Sequence, residues 1–184
     1  MDVKRIWTPL DESAIAGLRS GDSVLLSGVL YTARDAAHRR FCEMLDRGET
    51  LPVDLAGQVL YYAGPVPAKP GKVIGPIGPT SSYRMDPYTP RLLETGLKGM
   101  IGKGNRSDSV VCAIGRYKAV YFASVGGTAA AGARCVKKAE VAAFDDLGPE
   151  AVYRLEVREF PLVVAIDCHG GNLFNEGMKK YRRE

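Results

Sequence analysis

Three short segments place cationic or hydroxyl side chains where the chain reverses and backbone N–H groups gather, which is what holding a small anion requires. In Thr32-Ala33-Arg34-Asp35-Ala36-Ala37-His38, Arg34 ends an apolar stretch and His38 falls in the first turn of the helix that follows. A helix N-terminus carries about half a positive charge, so an arginine and a histidine gain nothing from it; an anion between free N–H groups and the arginine fork does. In the alternative reading Arg34 pairs with Asp35 or another surface acid and His38 merely packs. In Gly78-Pro79-Thr80-Ser81-Ser82-Tyr83-Arg84-Met85-Asp86, successive hydroxyls precede an arginine. That is either a cradle for a carboxylate or phosphate, or a Ser/Thr-rich turn capping the helix that begins near Pro87. In Gly102-Lys103-Gly104-Asn105-Arg106-Ser107-Asp108, glycines on both sides of Lys103 let a ligand approach the backbone. The GxxxxGK[ST] pattern of a P-loop is absent, and a flexible basic surface loop is the other reading. Ser124-Val125-Gly126-Gly127-Thr128-Ala129 repeats the strand–Gly–Gly–helix pattern, open to tight packing or ligand approach alike. Arg34, Arg84 and Lys103 all lie at strand ends or in Gly-rich turns, where open sheets bind ligands, and three cations suit a ligand with two carboxylates.

The elements that must carry these residues alternate. A short helix is predicted over 11–18, a strand over 23–33 bent at Gly28, and a helix over 35–48 with Asp35 as N-cap and Gly48 as its stop. Further strands are expected at 59–63, 99–102, 119–123, 140–144, 153–157 and 162–167, and helices over 87–95, 107–115, 127–136 and 149–151. Five prolines and four glycines make residues 64–79 a long shaped loop. Alternating strands and helices predict an α/β domain with a mixed sheet. A chain of 184 residues is read as one domain over 1–184, with a short N-terminal arm (1–10) and a basic tail (176–184) as a solvated end.

Composition removes several classes. No apolar run approaches the roughly 18–20 residues that span a bilayer, and the N-terminus lacks a secretory pattern, so a cytoplasmic protein is expected, with no membrane partner. The net charge of +4 comes from scattered basic residues without a basic–aromatic stripe, which argues against nucleic acid as a partner. Cys42, Cys112, Cys135 and Cys168 form no CxxC pair, and the histidines are only His38 and His169. No self-contained metal site is expected; any iron would take its ligands from another chain.

In this order, Thr32–His38, Tyr61-Tyr62-Ala63-Gly64-Pro65, Gly78–Asp86, Lys103–Ser107, Ser124–Gly127 and Asp167-Cys168-His169-Gly170-Gly171-Asn172-Leu173-Phe174 resemble the β-type iron–sulfur hydro-lyases. That family comprises the tartrate dehydratase β subunit, the β subunit of two-subunit class I fumarase and the C-terminal domain of single-chain class I fumarase. The likeness covers residues 6–176. It implies a swivelling β/β/α domain that works with a partner α subunit carrying a [4Fe–4S] cluster, in an (αβ)2 hetero-oligomer, with no cofactor or metal on this chain. The implied activity is that of a class I fumarate hydratase β subunit, interconverting fumarate plus water and (S)-malate only when the α subunit is present. Arg34, Thr80, Ser81, Arg84 and Lys103 would bind the substrate, Thr80 and His38 would be catalytic, and the partner's open iron would act as a Lewis acid on the substrate hydroxyl. Ser81 replaces the second threonine of the fumarase motif, Tyr83 a small residue, and Thr128 stands where single-chain fumarases tend to have proline. An L-tartrate dehydratase β subunit, a non-catalytic module binding an anionic metabolite and, weakest, a nucleic-acid-binding protein are the other readings.

Overall fold

The computed structural model describes residues 2–124 and 129–182. Its strands are β1 (Lys4–Trp7), β2 (Ser23–Thr32), β3 (Val59–Tyr61), β4 (Gly99–Gly102), β5 (Val120–Ala123), β6 (Val136–Ala143) and β7 (Val152–Ile166). The helices are α1 (Glu12–Ala16), α2 (Asp35–Asp46), α3 (Thr89–Glu94), α4 (Asp108–Arg116), α5 (Ala129–Cys135) and α6 (Leu173–Tyr181), with 3-10 turns at Ser82–Met85 and Asp145–Glu150. The fold is α/β with a mixed seven-stranded sheet in the order β1-β2-β3-β4-β5-β7-β6. Strands β1 to β5 pair in parallel, and β7 runs antiparallel to β2, β5 and β6. Because β7 bonds to β2 as well as to β5, the sheet closes on itself through β2-β3-β4-β5-β7.

That closure explains the uninterrupted apolar runs. Along Val59–Ala63 the side chains alternate between two cores: Val59, Tyr61 and Ala63 in one, Leu60 and Tyr62 in the other. Val120, Tyr121 and Phe122 do the same. A strand buried on both faces loses the apolar–polar alternation of a half-exposed one. The second core is completed by α2, α3 and α4 through Phe41, Leu92, Leu93, Val110 and Ile114, and this is the layer that backs the candidate site.

The structure corrects several boundaries. The strands expected at 153–157 and 162–167 are one fifteen-residue strand, β7, despite the positive φ of Glu159 and Pro161 within it. The long β2 pairs along it from Val163 to Phe160 and again from Val157 to Arg154, so it holds β7 together on both sides of the irregularity at Arg158 and Glu159. The register shift opposite falls at Gly28, whose φ of +109° and close approach to Thr8 leave no room for a side chain. Arg34, not Asp35, is the cap residue of α2 and makes no side-chain cap bond; Asp35 is the first helical residue. Lys4–Trp7, inside the segment read as an arm, is a strand paired with β2. The basic tail begins within a helix: α6 runs to Tyr181 with most of its last residues exposed, started by the Asn172 side chain, which accepts the Phe174 and Asn175 N–H groups. Helix 127–136 is seen as Ala129–Cys135, and Val125–Thr128, with the second glycine pair, lie outside the described residues. The segment 149–151 belongs to the 3-10 turn at Asp145–Glu150. Among the described residues no helix is long and apolar enough to cross a membrane.

Candidate anion-binding site

The three segments singled out from the sequence meet at the carboxyl ends of the parallel strands. Arg34 follows β2, Tyr62 follows β3 and Lys103 follows β4. The segment Thr80–Ser82 then inserts between the ends of β3 and β4: the Thr80 N–H donates to Tyr62 O (2.6 Å), Ser81 bridges Lys103 in parallel register, and the Ser82 N–H donates to Lys103 O (2.9 Å). Gly102 makes this insertion possible, because a Cβ there would collide with the Ser82 hydroxyl. Ser81 and Ser82 do not cap α3; Ser82 opens its own 3-10 turn, which brings Arg84 round to the start of α2. The capping reading of this turn is therefore set aside.

Each arginine is held by a carboxylate of the same chain. Arg84 Nε donates to Asp35 Oδ1 (2.9 Å), so Asp35 ties the second segment to the first. Arg34 pairs with Glu150, its NH2 group 3.3 Å from Oε1, while Glu150 Oε2 accepts the Ala36 N–H at 3.1 Å. The anion expected at the N-terminus of α2 is thus supplied by the chain itself, from the turn at Asp145–Glu150. The Arg34 Nε is buried with no hydrogen-bond partner. Lys103 is exposed and, among the described residues, makes no ion pair. Thr80 and Ser81 are half-buried, and Tyr83 stands two-thirds exposed (67%) beside them.

His38, expected from the resemblance to be catalytic, lies inside the protein at the start of α2. It is fully buried (0% exposed) beneath Arg34, edge-on to Tyr62 at 5.1 Å between ring centroids. Its Nδ1 lies 2.9 Å from Arg34 O, an oxygen that only accepts, so Nδ1 carries the hydrogen and Nε2 is a buried lone pair without a partner. Burial lowers its pKa to about 4; the bond to Arg34 O opposes the fall and the charge of Arg106 adds to it. His38 is a neutral imidazole at physiological pH.

Sequence reasoning gave no role to the layer beneath the site. Arg106, with a side chain 0% exposed, donates to Asp86 Oδ1 through Nε (2.6 Å) and to Thr89 Oγ1 through NH2 (2.8 Å). Its guanidinium stacks between the rings of Tyr62 (5.3 Å) and Tyr121 (5.0 Å). The Asp86 Oδ2 accepts the Ser107 N–H (2.7 Å), and the Tyr62 hydroxyl lies 3.2 Å from Thr89 Oγ1. The only signal was that Asp86 and Arg106 lie within motifs whose other residues drew attention. Asp167, in the last motif quoted, holds a turn: it accepts the N–H groups of Ser20, His169 and Gly171.

The cysteines do not fit a cluster. Cys42 lies on α2, Cys112 on α4, Cys135 ends α5 and Cys168 follows β7, and among the described residues no three His, Cys, Asp or Glu side chains gather where they could hold a metal ion.

The sequence matches the family described as Fumarase C-terminus over residues 2–177. It is 41% identical, over 95% of its length and 92% of the relative's, to a Methanocaldococcus jannaschii protein provisionally named L(+)-tartrate dehydratase subunit beta. It is 36% identical over 96% of its length to fumarate hydratase 2 of Leishmania major, and 37% identical over 82% to the aerobic class I fumarate hydratase of Escherichia coli K12. Of those two longer proteins it spans 31% and 28%.

Proposed function

The chain belongs to the Fumarase C-terminus family, whose relatives here are named as fumarate hydratases and a tartrate dehydratase subunit, and on that premise we propose that it is the β subunit of a two-subunit class I fumarate hydratase. The observation that carries this reading is the convergence of Arg34, Thr80, Ser81, Arg84 and Lys103 at the ends of β2, β3 and β4, with both guanidinium groups already oriented. Since this chain's residues do not fit a [4Fe–4S] cluster, the proposal places the cluster on a partner α subunit, in an (αβ)2 assembly.

Dehydration removes a proton from carbon next to a carboxylate, and negative charge then grows on that carboxylate. Cations aligned beforehand lower the barrier, because no reorganisation is needed as the charge appears. Arg84 donates one N–H to Asp35 and Arg34 pairs with Glu150, and the proposal gives further donors of the two guanidinium groups to the ligand; Lys103 adds a point charge. Thr80 is the proposed proton carrier at Oγ, with Ser81 as the adjacent hydroxyl. An unaided threonine is a weak base, so a neighbouring carboxylate must come from the partner. His38 takes the part of a positioning residue, holding Arg34 O from below.

The test is anaerobic co-expression with a candidate α subunit, cluster reconstitution and an absorbance assay of fumarate. The expected outcome is turnover that requires both chains. A cluster-loaded complex silent on fumarate and on L-tartrate would leave only a binding module for an anionic metabolite. L-Tartrate is the second reading, favoured by the near-equal length of the Methanocaldococcus jannaschii relative; turnover of tartrate alone would select it.

A further inference from the structure

Lys103 sits between two glycines, Gly104 at a φ of +80°, in a stretch whose backbone has the least intrinsic restraint in the site. Its side chain is exposed and makes no ion pair among the described residues, so the aim of its ammonium depends on how its backbone is held. Tyr121 Oη lies 2.9 Å from Ser82 Oγ and 2.9 Å from Gly104 O. A phenol has one proton, and a carbonyl oxygen only accepts. Tyr121 therefore donates to Gly104 O, and the Ser82 hydroxyl donates to Tyr121 Oη. Ser82 Oγ in turn accepts the Lys103 N–H at 3.1 Å, while the Ser82 N–H donates to Lys103 O at 2.9 Å. Every proton in this ring of bonds has one destination, and together they grip the backbone on both sides of Lys103.

We infer that Tyr121 and Ser82 form a positioning clamp that sets the direction in which the Lys103 ammonium reaches a substrate carboxylate, without either residue touching the substrate. Burial pushes the Tyr121 phenol well above its ordinary range, so it stays a protonated donor. Its ring is fixed from behind by the Arg106 guanidinium. A cation on a flexible stem gains most from a fixed root, since a binding group held in place meets the ligand without first being ordered. The inference rests on the hydro-lyase reading, because it assigns Lys103 a dicarboxylate.

Ser82→Ala and Tyr121→Phe, made in the full chain and studied in the αβ complex, test it with two readouts. Hydrogen–deuterium exchange of the Lys103 amide is expected to quicken about tenfold in Ser82→Ala, which removes the acceptor of that N–H. The KM for fumarate is expected to rise about tenfold in both variants with kcat within about threefold, the mark of a lost contact shared by ground and transition states. The double variant should be no worse than either single one, because the bonds act as a unit. Tyr121 is in the core, so if Tyr121→Phe fails to fold, Ser82→Ala carries the test alone. An active wild-type complex with unchanged KM in Ser82→Ala overturns the clamp, and a lowered melting temperature with unchanged KM overturns it equally. A wild-type complex inactive on both fumarate and tartrate removes the hydro-lyase reading and this role for Lys103 together.

Discussion

The buried pair Arg106–Asp86 offers the sharpest test of what supports the site, through Asp86→Ala and Arg106→Met made singly and together. The Arg106 side chain is 0% exposed and that of Asp86 11%, with 2.6 Å between them. Removing one member of such a pair leaves the other charge buried without compensation, a loss of about 3–5 kcal/mol. Asp86→Ala also frees the Ser107 N–H, but Ser107 is exposed and water replaces that bond at little cost. Arg106→Met fills similar volume between the Tyr62 and Tyr121 rings, and Thr89 Oγ1 keeps its bond to Met85 O. The double variant buries no orphan charge, so it should be more stable than Asp86→Ala alone, with a coupling of about 2 kcal/mol or more. Urea unfolding at constant m-value measures these differences directly. In a chain of this length the melting temperature of Asp86→Ala should fall by roughly 6–20 °C. The reasoning fails if Asp86→Ala costs less than about 1 kcal/mol, or if the double variant loses the sum of the two single losses.

Three further outcomes follow from the same geometry. Because folded His38 titrates near 4 and the unfolded residue near 6.5, the unfolded chain binds the extra proton between those values; the stability due to neutral His38 is complete above about pH 6.5 and lost as pH falls toward 4. Relative to His38→Gln, the wild type should lose about 2–3 kcal/mol between pH 7 and pH 4.5 in urea titrations; identical pH slopes would refute the buried neutral imidazole. Arg84→Ala should lower turnover of the αβ complex at least about a hundredfold, while its melting temperature stays close to wild type because the Arg84–Asp35 pair is part-exposed; retention of more than about a tenth of the activity sinks its role. Gly28→Ala would place a Cβ 2.5 Å from Thr8 Oγ1 at a φ of +109°, and should cost about 1–3 kcal/mol; a neutral result in denaturant would mean that β2 and the Thr8 backbone separate freely.

What was legible in the sequence depended on how local the cause was. The runs at 59–63 and 119–123 announce strands because both faces are buried in the same chain neighbourhood, and the glycine after Asp46-Arg47 stops α2 where expected, with Gly48 at a φ of +70°. Pro161 lies in the gap between the strands expected at 153–157 and 162–167, a break that β2 overrides, since its partners lie more than a hundred residues away in sequence. The end of the chain looked like a polar tail because α6 buries no residue fully and is started by one side chain, Asn172.

The site divides the same way. Arg34, Thr80, Arg84 and Lys103 each sit in a local pattern that reads as anion-binding, but which acid sits on which arginine is a tertiary fact. Arg34 is not paired with adjacent Asp35 but with Glu150, while Asp35 serves Arg84. These pairings have a chemical consequence. Each guanidinium is oriented by a fixed carboxylate that takes one nitrogen and offsets its charge, so the arginines are pre-aimed yet only weakly attractive to stray anions. The net attraction rests on Lys103, the site cation with no acid beside it among the described residues. A dicarboxylate that reaches all three gains two directed guanidinium contacts together with one uncompensated charge, whereas a monoanion gains one or the other. Under the proposed function, discrimination in favour of two carboxylates would then come from how the cations are neutralised as much as from where they stand.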